Sequence, residues 1–120
     1  MDEGYLLIEN FLSDKEHQEL LHTCDSLYNN AQKNKNDKYY EWDECGQLNK
    51  INYACTNNEV FKNLANNPTL VAHAKNIIQT SDTLDCYISK FFPMQPKTGT
   101  STFMHQDNYY FNGDNKKILS

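Results

Sequence analysis

His105-Gln106-Asp107 sets an imidazole and a carboxylate two residues apart. On an extended strand, side chains two apart share a face, so the ring and the carboxylate would stand side by side. A metal ion could use both at once. They supply two of the three groups in the 2-His-1-carboxylate face that holds non-haem Fe(II) in oxygenases. The spacing alone is a weak signal: with four His and nine Asp in the chain, roughly 0.3 such pairs arise by chance. The plain alternative is that His105 hydrogen-bonds a neighbour while Asp107 opens a turn into Asn108. The surroundings favour the metal. Phe103 precedes the pair, and Tyr109, Tyr110 and Phe111 follow it. Aromatic neighbours can dry a metal pocket and tune its ligands. Thr98, Thr100, Ser101 and Thr102 cluster hydroxyls just upstream.

The elements that must position this pair can be read along the chain. Tyr5-Leu6-Leu7-Ile8 reads as a short strand. Ser13 and Glu16 have the spacing of a capping box, and Leu20, Leu21, Cys24, Leu27 and Tyr28 follow at helical spacing, which predicts a helix over about 14–29. Residues 29–46 are polar and read as a long loop, with Tyr39, Tyr40 and Trp42 as candidates for a lid. Ile51-Asn52-Tyr53 reads as a short strand. Asn57 or Asn58 can cap a second helix carrying Val60, Phe61 and Leu64. Asn67-Pro68 is an N-cap followed by an N1 proline and opens a third helix that ends near Gln79. Residues 84–92 alternate and read as a strand, broken by Pro93 and Pro96-Lys97-Thr98-Gly99. Thr102-Phe103-Met104-His105 is the next strand, Asn112-Gly113-Asp114-Asn115 a turn, and Ile118-Leu119-Ser120 the start of another strand. Helices come first and strands after. That order predicts an α+β domain whose sheet has only begun.

Composition narrows the function classes. At 120 residues the chain holds one domain at most. Mean hydropathy is low, −0.82, because sixteen Asn are present, but fourteen Tyr and Phe and one Trp argue against disorder. The net charge of −5 and the absence of a face-sized basic patch argue against a nucleic-acid partner. No run approaches eighteen apolar residues, so no membrane span is expected. Met1-Asp2-Glu3-Gly4 lacks the basic start of a signal peptide. Cys24, Cys45, Cys55 and Cys86 include no C-x-x-C pair and are expected to be reduced thiols in a soluble, cytoplasmic protein.

The ordered pattern resembles the phytanoyl-CoA dioxygenase family. Residues 4–13 resemble its opening: a strand, an Asn10-Phe11-Leu12-Ser13 step, then a capped helix. Phe61 to Gln79 resembles the helical segment before the family's barrel. Ile88-Ser89-Lys90 with Pro93, and Thr102 through Asp107, resemble its first core strands, and Lys116 to Ser120 the beginning of the next. The resemblance implies a double-stranded β-helix (jelly roll, cupin-like), incomplete here after the N-terminal helices. On that view, residues 1–120 are the N-terminal part of one domain, truncated within its β-core. It implies Fe(II) and 2-oxoglutarate as cofactors, with oxidation of a C–H bond in a small-molecule substrate. His105 and Asp107 match the first two iron ligands. Lys50 falls where some members place a basic residue facing 2-oxoglutarate. The family's third ligand, a His, and the Arg that pairs with the cosubstrate lie downstream, and nothing in this chain matches them. His17, His22 and His73 fall in helices and are poor substitutes.

The expectation is therefore an Fe(II)/2-oxoglutarate oxygenase portion without substantial activity alone. Exposed sheet edges would favour self-association. Two alternatives stand beside it: a non-catalytic remnant or interaction module of the same fold, and a small metal-binding domain that adds Cys86 or another residue to the pair.

Overall fold

Ser13 opens the first helix in the manner its spacing predicts. Its hydroxyl accepts from the Glu16 amide at 3.4 Å, and its own amide donates to the Glu16 carboxylate at 2.8 Å. In the computed structural model, which describes residues 4–97, 99, 101, 103–114 and 118–120, this helix, α1, spans Asp14–Lys33. It runs one turn beyond expectation, because Asn30 and Asn34 continue the helical bonding and their side chains bond at 2.8 Å. Leu27, Tyr28 and Ala31 on one face meet the sheet.

The sheet is antiparallel, in the order β1 (Tyr40–Trp42), β2 (Leu48–Asn52) and β3 (Lys90–Phe91). Tyr40 stands opposite Ile51, and Ile51 opposite Phe91. Ile51, Leu48 and Ala31 are the buried centre, with Tyr28, Tyr40, Trp42 and Phe91 packed around them. Between β2 and β3 come three helices: α2 (Ala54–Asn57), α3 (Glu59–Ala65) and α4 (Pro68–Ile78). Asn58 caps α3 and Asn67 caps α4, each side-chain oxygen accepting two backbone amides. A last short helix, α5, spans Asn108–Phe111.

The α+β class holds, but several strands and their order differ from the reading. Residues 5–8 form no strand; Tyr5, Leu6 and Leu7 are exposed, and no strand pairs with them among the described residues. The long loop is shorter than expected, since its middle is β1. Tyr40 and Trp42 are therefore core side chains rather than parts of a lid, and the Trp42 indole donates to the Lys35 carbonyl at 3.0 Å. The first two strands precede α2, so helices and strands interleave. Of residues 84–92 only Lys90 and Phe91 pair, and residues 103–105 and 118–120 lie in no strand. Alternation makes a strand possible, but only a partner with free backbone groups makes one form. Met1, Asp2, Glu3, Thr98, Thr100, Thr102, Asn115, Lys116 and Lys117, named above, lie outside the described residues.

The core is small for the chain. A folded monomer of 14.0 kDa exposes about 6,700 Å², whereas this chain exposes 9,911 Å². Phe103, Met104 and Tyr109 contribute heavily, at 90%, 100% and 85% exposure. The apolar surface around the candidate metal pair is thus uncovered. Among the described residues no helix is long and apolar enough to cross a membrane.

Candidate metal centre

Asp107 takes helical backbone angles (φ −57°, ψ −33°) and leads directly into α5. Two contacts anchor that helix. The Asn108 side chain brackets Gly113, accepting from its amide at 2.8 Å and donating to its carbonyl at 3.1 Å. The Phe111 ring meets Tyr87 edge-on, with centroids 5.1 Å apart. His105 lies two residues earlier in irregular backbone, with its ring edge-on to Tyr110 at 6.0 Å.

The two side chains do come together. His105 Nε2 lies 3.2 Å from Asp107 Oδ1. The strand periodicity that predicted this juxtaposition is not its cause. A turn brings the carboxylate back beside the ring: the Tyr109 and Tyr110 amides donate to the Gln106 and Asp107 carbonyls and close it. The plain alternative is also partly realised, since Asp107 does lead into a turn.

The hydrogen bonding of His105 selects what can lie between the two groups. Its Nδ1 is 2.8 Å from the Phe103 carbonyl oxygen, which only accepts, so Nδ1 carries a proton. Nε2 then faces a carboxylate oxygen that also only accepts. Two lone pairs at this separation repel unless a second proton or a metal ion lies between them. Ligands about 2.1 Å from a metal and about 90° apart are separated by about 3.0 Å, close to the distance observed. A metal-binding His commonly holds its other nitrogen on a backbone carbonyl, which fixes the tautomer. The same distance is an ordinary hydrogen-bond length, so the pair can share a proton as well as offer two donors to a divalent cation. The Phe103 carbonyl is a contributor that sequence reading missed, because a backbone role leaves no residue-type signature.

Two ligands do not close a site. Both side chains are partly open to solvent, at 44% and 35%. Among the described residues no third His, Cys, Asp or Glu gathers with them. His17 and His22 are exposed on α1, and His73 is half-buried on α4. The cleft between α1 and α3, lined by Leu12, Leu20, Val60 and Leu64, contains neither member of the pair.

Lys50 sits on β2 directly opposite Glu41 on β1, and its ammonium lies 3.0 Å from the Glu41 carboxylate. Asn52 donates to the other Glu41 oxygen at 2.6 Å. The Asn52 bond and then the Lys50 bond hold the Glu41 carboxyl below its usual range. A lowered carboxylate stabilises the fold above its unfolded pKa, about 4.3, and loses that contribution as pH falls through the native value. Wild type is therefore expected to exceed Glu41→Gln in stability at pH 7 by less than about 1 kcal/mol, the scale of an exposed pair. The gap narrows as pH falls below that unfolded value and through the lower native one. Urea titrations at pH 7 and pH 3.5 test this; an equal gap at both would refute the assignment.

The comparisons with known proteins bear on this geometry. No curated protein and no solved structure matches the chain. The family model described as phytanoyl-CoA dioxygenase (PhyH) matches residues 1–119, which include the helices, the sheet and the His105–Asp107 pair. On that match, the chain belongs to the phytanoyl-CoA dioxygenase family.

Proposed function

We propose that this chain supplies two iron ligands, His105 and Asp107, to a non-haem Fe(II)/2-oxoglutarate oxygenase centre. The observation that supports this best is the 3.2 Å approach of Nε2 to the carboxylate, with Nδ1 tied to a carbonyl. It lies within a chain matched to the family over residues 1–119. Bound iron would supply the oxidation chemistry with 2-oxoglutarate as cosubstrate. The protein's own part is to present the Nε2 lone pair and the carboxylate on one side of the site. Lys50 is the candidate contact for the 2-oxoglutarate carboxylate, and its ammonium would exchange Glu41 for it. The double-stranded β-helix of the family would grow from β1, β2 and β3 and cover the exposed aromatics. The substrate is a small molecule, and the four free thiols suit the cytoplasm.

These 120 residues contain no arginine to hold the cosubstrate, and among the described residues no third ligand lies beside the pair. The chain alone is therefore proposed to be without substantial turnover. Incubating it with Fe(II) and 2-oxoglutarate is expected to give no succinate above the metal-only background. Succinate production that needs His105 would overturn the inactivity. A second reading, a non-catalytic interaction module of the same fold, draws on the exposure of Phe103, Met104 and Tyr109.

A further inference from the structure

Asn112 is followed by Gly113, and no other Asn in the chain precedes a glycine. An asparagine side chain in this position is open to attack by the next backbone nitrogen, because glycine has no Cβ to hinder the approach. Asn112 ends α5 in the left-handed region, at φ +49° and ψ +38°, and is exposed. Asn108 grips both residues. Its backbone carbonyl accepts from the Asn112 amide at 2.9 Å. Its side-chain oxygen accepts from the Gly113 amide at 2.8 Å, and its side-chain nitrogen donates to the Gly113 carbonyl at 3.1 Å. Ile118 also closes on Gly113: a Cβ added there would stand 2.7 Å from the Ile118 Cδ1.

We propose that Asn112 is a deamidation site and that the Asn108 side chain is the latch that holds it shut. In the reaction the Gly113 nitrogen loses its proton and attacks Asn112 Cγ. The N–Cγ bond forms, the bond from Cγ to the side-chain nitrogen breaks, and ammonia leaves. Water then opens the succinimide ring at either carbonyl, giving isoaspartate or aspartate. Ring closure requires the Gly113 nitrogen on the same side of the Asn112 Cα–C bond as Cβ. At ψ +38° it points away, so the peptide unit must rotate first. That rotation breaks both Asn108 side-chain bonds, and the proton to be lost is the one that Asn108 Oδ1 holds. The sequence alone marks Asn112 for fast conversion; the fold slows it. Conversion places a negative charge at the end of α5, beside carbonyls that already carry partial negative charge, and isoaspartate also lengthens the backbone there. Because α5 follows Asp107 directly, deamidation loosens the helix next to the metal pair. The site stands on its own geometry and does not depend on a bound metal.

The test incubates the 120-residue chain at 37 °C and mildly alkaline pH, digests samples over time, and scores aspartate and isoaspartate at position 112 by mass spectrometry. A synthetic peptide of residues 106–114 gives the unlatched rate. Wild type is expected to convert roughly tenfold more slowly than the peptide, the worth of the two side-chain hydrogen bonds. Asn108→Ala is expected to recover most of that factor, with position 112 converting ahead of every other Asn. Asn108→Asp retains an oxygen to accept from the Gly113 amide and is expected to stay within about threefold of wild type. Circular dichroism of α1 checks that each variant is folded. Wild type converting as fast as the peptide would overturn the proposal. So would a folded Asn108→Ala converting at the wild-type rate. Should Asn108→Ala unfold, Asn108→Asp decides: conversion at the peptide rate would remove the latch.

Discussion

Replacing His105 with Ala is expected to weaken divalent-metal binding at residues 103–111 at least tenfold. Loss of an outer partner of a metal ligand already costs about 10–100-fold, and this change removes a ligand itself. The starting affinity is modest because only two protein groups contribute, so the readout must be local. Mn(II) broadens NMR signals near its site. Titration into the wild-type chain should broaden Phe103, Tyr109 and Tyr110 before the α1 signals. Asp107→Asn should lose the effect as well, because a neutral amide is a poor replacement for a carboxylate on a hard cation. His17→Ala should keep it, since His17 is exposed on α1 and no metal-binding group gathers there among the described residues. Equal broadening in wild type and His105→Ala would remove the metal assignment.

This pair also shows what the sequence discloses. The types and spacing of His105 and Asp107 could be read directly, though that spacing alone is a weak signal. The geometry was not. Two residues apart on a strand and two residues apart in a turn give the same pattern, and the helical backbone of Asp107 shows that the turn applies. The three longer helices were read well because their signals are local: Ser13, Asn58 and Asn67 each cap within three residues, whereas the short α2 and α5 were not expected. The strands were read poorly because pairing is not local. Tyr40–Trp42 lies in a polar stretch and becomes β1 only because a turn at Asp43–Gly46 folds it onto β2. Gly46, at φ +75°, was the available clue to that turn. Residues 84–89 alternate well, yet β2 turns into α2 at the point where they would pair.

The largest effect on stability is expected at Ile51. This side chain is 4% exposed at the centre of the sheet, where β1 and β3 both pair with its strand and α1 covers it through Ala31. Ile51→Ala removes buried methyl groups and leaves a space its neighbours only partly close, at a cost of about 2–5 kcal/mol. Small domains have about 5–15 kcal/mol in total. This chain should stand near the lower limit, because only Ala31, Leu48, Ile51 and Ala54 form its buried apolar set among the described residues. Ile51→Ala should therefore leave a large fraction unfolded at 37 °C, seen as loss of helical circular dichroism and a much lower urea midpoint. Ile51→Val should cost about 0.5–1.5 kcal/mol. Leu7→Ala, at a side chain 72% exposed, should stay within about 0.5 kcal/mol of wild type. A Leu7→Ala change as damaging as Ile51→Ala would mean that residues 5–8 are packed after all, as in the strand expected from sequence. Two outcomes at opposite ends of this scale would instead locate the stability of the chain in the α1–sheet contact. The metal pair would then rest on a scaffold that holds it by turns and aromatic contacts, outside the core.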